Sequence, residues 1–282
     1  QIYIHLCKFD ILSQLLHVNT LYKMMRTFSQ IIGASCKYGQ PKIGVETAPE
    51  LLKDSMAINM PIIDNFEDDG YTKLFNIHNK CLSENLLPIT VGGDHSISFS
   101  TVASSVKYYQ GDLTLIWVDA HADIHTRDSS ETKNMHGMPV GGLLGHDNIF
   151  NFPELKPQQL IYIGLRDVDE YEQQIIDSLD IEHYTAEFVR NHSLSDILEN
   201  IYNKTEAIHL SLDVDVMDPI HFGSTGTPVE DGLSIKETKQ ILSKFKPKIK
   251  SVDFVEFNPS LTNTAQATRD LETLTQLINI VY

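Results

Sequence analysis

The segment LIWVDAHAD at residues 115–123 constrains the fold of this chain more than any other stretch. Its apolar half has the length and composition of a buried β-strand. The run ends in Asp119, His121 and Asp123, which are separated by single alanines. Ionisable groups at the end of a buried strand are costly to desolvate unless a cation compensates their charge. Carboxylates and imidazole are metal ligands, so the segment predicts a metal site where a strand ends.

Strand-like and helix-like segments alternate along the rest of the chain. Short apolar runs predict strands at 87–92, 113–118, 160–165, 207–212 and 251–257. Amphipathic segments predict helices at 72–85, 96–109, 171–179, 194–203, 235–245 and 268–282. Ser234, with Glu237 three residues later, is a capping-box signature at the start of the helix at 235–245. The alternation predicts an α/β fold of one domain, with three α/β/α layers and a mostly parallel central sheet.

The first residues differ from this pattern. Residues 1–23 carry scattered apolar side chains but neither the basic start and apolar core of a secretory signal nor an arginine-rich transit sequence. Met24 and Met25 offer alternative starts. We therefore expect residues 1–24 to be an N-terminal extension that need not be native, and residues 25–282 to form the domain.

Composition narrows the choice of partners. The chain has 22 Lys and Arg against 38 Asp and Glu, a formal net charge of −16. Such a surface repels nucleic acids and anionic membranes, so we expect neither as a partner and favour a small cationic substrate. Cys7, Cys36 and Cys81 form neither a CxxC pair nor a disulfide framework, which favours a reducing, cytoplasmic location.

The other four predicted strands also end in histidine or acidic residues: His95 after the first, Asp169 and Glu172 after the third, Asp213 and Asp215 after the fourth, and Glu256 in the fifth. Taken singly, each fits a turn or a helix cap. Together they indicate a site, because the carboxyl ends of parallel strands lie on one edge of a sheet. A carboxylate-rich set with imidazoles suits manganese better than structural zinc.

Four motifs also resemble one enzyme family. GGDHS at 92–96, DAHAD at 119–123, SLDVDVMDP at 211–219 and TGTP at 225–228 are similar to motifs of the ureohydrolases, which include arginase, agmatinase and formiminoglutamase. The resemblance covers essentially residues 30–282. It implies a ureohydrolase catalytic domain that binds two Mn²⁺ ions per subunit.

The resemblance also implies the metal ligands. One Mn²⁺ would be held by His95, Asp119, Asp123 and Asp213, and the other by His121, Asp119, Asp213 and Asp215. Asp119 and Asp213 would thus bridge the two ions. Two ions about 3.5–4 Å apart can share a water and lower its pKa toward about 7. No ligand of the family is missing, which argues against a non-catalytic, regulatory relative.

Further roles follow from the same resemblance. Asp123 would orient the attacking hydroxide, His136 in the segment NMHGMP would be the proton shuttle, and Glu256 would pair with the guanidinium. The segments HGMPVGGLLG and EFNPSL and the acids Asp169 and Glu172 are similar to arginases. In arginases two acids at these positions recognise the α-amino group. Within the family, the motifs therefore favour hydrolysis of L-arginine to L-ornithine and urea.

The substrate head group is where the sequence departs from the family. Thr132 and Thr227 match positions that contact the amino-acid head. The family pattern D-I-N-T is Asp123-Ile-His125-Thr126 here, so a histidine replaces the asparagine that binds the substrate carboxylate. Agmatinase, or another guanidino-acid ureohydrolase, stays the alternative, because agmatine is arginine without its carboxylate. The resemblance also implies a homo-oligomer, either a trimer or a hexamer.

Overall fold

Eight strands form one sheet in which every neighbouring pair is parallel. The structure is a computed structural model and describes residues 28–282. The predicted extension at residues 1–24, and Cys7 with it, lies outside the described residues. The strands are β1 Ser29–Ala34, β2 Ile62–Ile63, β3 Leu87–Gly92, β4 Leu113–Val118, β5 Leu160–Leu165, β6 Glu182–Thr185, β7 Ala207–Asp213 and β8 Ile249–Val255. Their order across the sheet is β2-β1-β3-β8-β7-β4-β5-β6.

Nine α-helices connect the strands within residues 28–282. They are α1 Ala48–Met56, α2 Gly70–Ser83, α3 Ser98–Tyr109, α4 Pro139–Leu143, α5 Glu170–Ser178, α6 Ala186–Asn191, α7 Leu194–Lys204, α8 Ile235–Phe245 and α9 Thr264–Val281. Side-chain caps start several of them: the predicted capping box of Ser234 and Glu237 precedes α8, and Ser193 caps α7. Among these helices, none has both the length and the apolar character needed to cross a membrane.

The helices cover both faces of the sheet, as predicted. Along β4, Leu113, Leu115 and Trp117 belong to one apolar cluster, whereas Ile116 and Val118 belong to another. This alternation follows from the two-residue period of a strand, which points successive side chains to opposite faces. The first cluster includes residues of α2, α3 and α5, and the second includes residues of α1 and α6 to α9. The three-layer α/β/α fold is therefore confirmed.

The predicted elements agree with the observed ones where the sequence pattern is strong. The strands at 87–92, 113–118 and 160–165 have the predicted bounds, and β7 is one residue longer than predicted. Strand β8 occupies Ile249–Val255 rather than 251–257, so Glu256 lies just beyond its end. The sequence missed β1, the two-residue β2 and the half-buried β6.

The apolar side chains packed between β7 and its covering helices should contribute much of the free energy of unfolding. Replacing Ile208, which is 0% exposed, by alanine is expected to lower the free energy of unfolding by about 2–5 kcal/mol, because it leaves a cavity between sheet and helices. The matched control is Ile220→Ala at an 82% exposed site, with an expected change within about 0.5 kcal/mol. Chemical denaturation measures both. Equal losses for the two variants would contradict this account of the core.

Candidate metal centre

Strand β4 delivers the first ligands in a defined orientation. Asp119 follows the last residue of β4 and is fully buried. Its Oδ1 accepts a hydrogen bond from the His121 backbone N–H at 2.8 Å, and its Oδ2 lies 3.1 Å from Nδ1 of His95. One carboxylate oxygen therefore shapes the local turn while the other faces the site.

Strand β7 repeats this arrangement. Asp213 is the last residue of β7, and its Oδ1 accepts a hydrogen bond from the Asp215 backbone N–H at 2.8 Å. Its Oδ2 lies 3.4 Å from Nδ1 of His95. The spacing D-x-D is thus explained: the first aspartate caps the turn that presents the second.

His95 enters the site from the end of β3. Only glycine fits at Gly93, because a Cβ there would lie 2.2 Å from the carbonyl oxygen of Cys36. The His95 ring stacks on Trp117 with centroids 4.0 Å apart. Its Nε2 lies 2.9 Å from Oγ of Ser211. If Nε2–H donates to Ser211, Nδ1 presents its lone pair to the site.

All six predicted metal ligands come together. Nδ1 of His95 lies 3.1, 3.2 and 3.4 Å from carboxylate oxygens of Asp119, Asp123 and Asp213 respectively. Nδ1 of His121 lies 3.1 Å from Asp215 and 3.5 Å from Asp119. Five of these side chains form two groups with the spacing of metal ligands, and Asp119 belongs to both groups. Asp123 adjoins the first group through its contact with His95.

These groups carry more negative charge than their surroundings neutralise. Burial raises the pKa of Asp213 well above its ordinary value, and Asp215 and Asp119 raise it further. Burial together with Asp119 raises the pKa of Asp123 to about 6. For His95, burial lowers the pKa, but the three surrounding aspartates outweigh that effect and raise it well above its ordinary value. The clustered carboxylates therefore favour the binding of a cation between them.

Two buried side-chain atoms without hydrogen-bond partners lie where a cation could bind them both. Among residues 28–282, Nδ1 of His95 and Oδ2 of Asp119 are buried and have no hydrogen-bond partner, although they face each other. Buried polar atoms are seldom left in that state. A metal ion would satisfy both, and imidazole with several carboxylates is a suitable donor set for a divalent transition metal. The residues present therefore fit a metal.

A cavity of about 310 Å³ opens above these groups. It is markedly acidic, which suits a cationic ligand. Its wall is formed by His121, Asp123, His125, Ser130, Glu131, Thr132, His136, Gly137, Asp167, Asp169, Glu172, Asp213 and Thr227. The predicted substrate residues His125, Thr132, Asp169, Glu172 and Thr227 thus all line one cavity, together with the predicted shuttle His136.

Glu256 lies beneath this cavity rather than on its wall. It is 1% exposed and is not among the described residues that line the cavity. Its Oε1 accepts a hydrogen bond from the His95 backbone N–H at 2.9 Å and lies 3.1 Å from Nδ1 of His136. Its Oε2 accepts a hydrogen bond from Gln40 at 2.7 Å. Both oxygens are therefore engaged within the protein.

Glu256 also controls the charge of His136. Burial lowers the pKa of His136, but the hydrogen bond to Glu256 and the charges of Glu256, Asp123 and Asp94 together outweigh it and raise that pKa to about 9. Two non-glycine residues of this region, Glu256 at φ 66° and Asp123 at φ 51°, have left-handed backbone conformations. Such conformations are uncommon for these residue types and cluster at functional sites.

The predicted substrate residues also make contacts inside the protein. Thr227 donates a hydrogen bond from Oγ1 to Asp215 Oδ2 at 2.8 Å, so it holds a metal-site aspartate. Asp169 caps α5 by accepting a hydrogen bond from the Glu172 backbone N–H at 2.9 Å. Burial, followed by the charge of Asp123, raises the pKa of Glu172 to about 7.

Sequence reasoning missed the residues that hold the site in place. Ser211 and Gln40 position His95 and Glu256, as described above. Arg166 donates to the backbone carbonyls of Asp215 and Val229, which fastens the loop after β7. Serine, glutamine and a strand-end arginine carry no metal-site signal on their own, so only the fold reveals these roles.

Known proteins are similar to this chain in sequence and in fold. The profile of the family described as the Arginase family matches residues 28–275. The arginase of Entamoeba histolytica is 31% identical over 281 residues, which cover 86% of this chain and 95% of that protein. The arginase of Bacillus subtilis is 33% identical over 275 residues, covering 84% of this chain and 92% of that protein.

A solved structure leads to the same family. The crystal structure of Entamoeba histolytica arginase in complex with L-ornithine superposes with a TM-score of 0.81 at 30% identity. The superposition covers 89% of this chain and 99% of that chain. The matched family profile spans most of this chain, including every strand of the sheet and all six residues of the candidate metal centre. The chain therefore belongs to the arginase family.

Proposed function

We propose that this protein is a manganese-dependent arginase that hydrolyses L-arginine to L-ornithine and urea. The observation that carries this proposal is the pair of histidine–aspartate groups that share Asp119 at the floor of an acidic cavity. Arginases from two organisms are similar over more than four fifths of the chain. One of them has been crystallised with L-ornithine, the product expected here.

Two Mn²⁺ ions fit the donor set best, since it contains four carboxylates, two imidazoles and no thiolate. His95, Asp119, Asp123 and Asp213 would hold one ion, and His121, Asp119, Asp213 and Asp215 the other. When bound, two such ions make water nucleophilic at neutral pH. The remaining steps depend on the chain's own residues.

Attack of water on the guanidino carbon requires an oriented nucleophile and a proton for the leaving amine. Asp123 would accept a hydrogen bond from the attacking water and orient it. His136 is held at Nδ1 by Glu256, so Nε2 is the atom that can exchange a proton in the cavity. General acid–base catalysis of this kind contributes roughly 10²–10⁴-fold.

Glu256 has two successive roles in this proposal. Before substrate binds, its Oε1 orients His136. A guanidinium pairs with a carboxylate through two parallel hydrogen bonds, which requires a free carboxylate edge. Such a pairing with Glu256 therefore requires His136 to move away from Oε1 and Gln40 to move away from Oε2.

The acidic cavity wall would select the amino-acid head. Asp169 and Glu172 would bind the α-ammonium group, because both carboxylates lie on the wall at the start of α5. Thr132, Thr227 and His125 would contact the head group, with His125 in place of the family's carboxylate-binding asparagine. Histidine can donate a hydrogen bond to a carboxylate through Nε2.

One observation favours a second candidate substrate. Nε2 of His125 lies 3.0 Å from Oδ2 of Asp169, so an α-carboxylate must displace Asp169 to reach it. Agmatine lacks that carboxylate and needs no such displacement. Agmatine hydrolysis is therefore the alternative function.

The substrate assignment predicts a clear order of rates. After Mn²⁺ loading, we expect the highest kcat/KM for L-arginine among L-arginine, agmatine and guanidinobutyrate, because Asp169 and Glu172 bind an ammonium group at the α-carbon. Urea release measures all three. A higher kcat/KM for agmatine would support the alternative function, and no turnover by a fully loaded chain would indicate a regulatory relative.

The shared ligand Asp119 predicts metal stoichiometry. Wild-type protein should hold two Mn²⁺ per chain, whereas Asp119→Asn should hold at most one and lose most urea formation, since Asp119 contacts both histidines. Elemental analysis after dialysis measures the metal content. Asp112→Asn, an exposed site just before β4, is the matched control and should keep both ions. Two ions in Asp119→Asn would refute the sharing of this carboxylate.

Proton transfer by His136 predicts a separation of kinetic parameters. His136→Asn should lower kcat by roughly 10²–10⁴-fold while KM changes far less. Steady-state urea release over a range of L-arginine concentrations measures both. His146→Asn, at an exposed histidine, should leave them unchanged. A raised KM with a retained kcat would instead make His136 a substrate-binding residue.

A further inference from the structure

A third group of metal-capable side chains lies apart from the two at the cavity floor. His125, Asp169 and Glu172, called the outer cluster here, offer one nitrogen and two oxygens that lie within 4.8 Å of one another. All three residues line the cavity. None of them belongs to the groups formed by His95, His121 and their aspartates, so the proposed metal ligands at the cavity floor do not account for this cluster.

The histidine of the outer cluster is held in one orientation. Nδ1 of His125 lies 3.0 Å from Oγ of Ser129, and its ring stacks on Tyr171 with centroids 5.3 Å apart and planes 9° apart. Metal-binding histidines commonly donate their second ring N–H to a neighbouring acceptor, which fixes the tautomer. With the proton on Nδ1, Nε2 presents its lone pair toward Asp169.

The two carboxylates each offer one oxygen to the outer cluster. Asp169 uses Oδ1 to cap α5, which leaves Oδ2 at 3.0 Å from Nε2 of His125. Glu172 is only 6% exposed, and its Oε2 lies 3.3 Å from the backbone nitrogen of Asp169. Burial followed by the nearby charge of Asp123 raises the pKa of Glu172 to about 7, so a cation beside it would relieve an unfavourable charge.

We propose that the outer cluster is a third, inhibitory binding site for a divalent transition-metal ion of the Zn²⁺ type. One imidazole and two carboxylates are ligands that Zn²⁺ accepts, and the exposed side of Asp169 leaves room for water to complete the coordination. The site exists because the imidazole of His125 lies beside the carboxylates of Asp169 and Glu172.

Occupation of this site would block the substrate. The claim of inhibition rests on the proposed function, in which Asp169 and Glu172 bind the α-ammonium group. A metal ion held by the same two carboxylates and L-arginine therefore exclude each other. The protein would be activated by the ions at the cavity floor and inhibited by the ion above them.

Metal counting tests the site without using activity. Mn²⁺-loaded protein is dialysed against excess Mn²⁺ with added Zn²⁺, and both elements are then measured per chain. We expect a total of three ions in the wild type and two in His125→Asn, whichever element occupies the floor. The control His146→Asn should keep three. A total of two in the wild type, or equal totals in wild type and His125→Asn, would overturn the proposal.

A second variant distinguishes the loss of a metal ligand from a folding defect. Glu172→Gln should also bind two ions in total, and circular dichroism of each variant checks that the fold is retained. Three ions in a folded Glu172→Gln would show that this carboxylate is not a ligand and would overturn the cluster as defined.

Kinetics test the inhibitory role separately. Added Zn²⁺ should raise the KM for L-arginine at least about threefold in Mn²⁺-saturated enzyme while kcat is retained, which is the pattern of competition. His125→Asn should lose this Zn²⁺ effect on KM. Hydrolysis of L-arginine by the Mn²⁺-loaded enzyme, together with a total of only two ions after dialysis with Zn²⁺, overturns the outer site alone. A total of three ions after dialysis with Zn²⁺, together with no hydrolysis of L-arginine by the Mn²⁺-loaded enzyme without Zn²⁺, overturns the proposed function alone.

Discussion

The structure depends on placing four aspartates where water cannot stabilise their charge. Asp119, Asp123, Asp213 and Asp215 are at most 8% exposed, and each lies near a histidine of the site. Burying such groups is expensive unless they are paired and hydrogen-bonded. Backbone N–H groups of the D-x-D turns satisfy one oxygen of Asp119 and of Asp213. The remaining negative charge is the physical reason why this edge of the sheet favours a bound cation.

A buried layer of polar side chains lies below the candidate metal centre and connects it to β7, β8 and α3. His209 on β7 lies 3.0 Å from Asp253 on β8, and the same carboxylate oxygen accepts a hydrogen bond from Ser98 of α3 at 3.2 Å. Ser98 in turn lies 3.2 Å from Ser211, which holds His95. This buried network connects the candidate metal centre to β7, β8 and α3, although Oδ1 of Asp253 has no hydrogen-bond partner among residues 28–282. The parts of β7 and β8 that lie beneath α3 are therefore polar, whereas the core side of a strand is ordinarily apolar.

The cavity above the candidate metal centre combines the proposed hydrolysis with the proposed outer metal site. Asp123 and Glu256 have left-handed backbone conformations, and their carboxylates lie 3.2 Å from Nδ1 of His95 and 3.1 Å from Nδ1 of His136 respectively. His125 connects the loop after β4 to the start of α5 through its contact with Asp169. The proposed recognition of the substrate and the proposed outer metal site therefore share His125, Asp169 and Glu172.

The sequence by itself determined the elements whose signals are local. The apolar runs of β3, β4 and β5 and the capping box of α8 were predicted because strand burial and helix capping depend on neighbouring residues. The gathering of the six candidate metal ligands could be predicted because each lies at or just beyond the end of a strand, and parallel strands end at one edge. The resemblance to the ureohydrolases implied which ion each of them would hold. The short strands β1, β2 and β6 had no comparable pattern.

Only the tertiary structure decided contacts between distant parts of the chain. Gln40 and Glu256 are 216 residues apart, and His95 and Ser211 are 116 residues apart, yet each pair is joined by a hydrogen bond. The same holds for the engagement of Glu256 beneath His136 and for the third metal-capable group around His125. No spacing rule reaches across such separations, because these partners meet only when the sheet assembles.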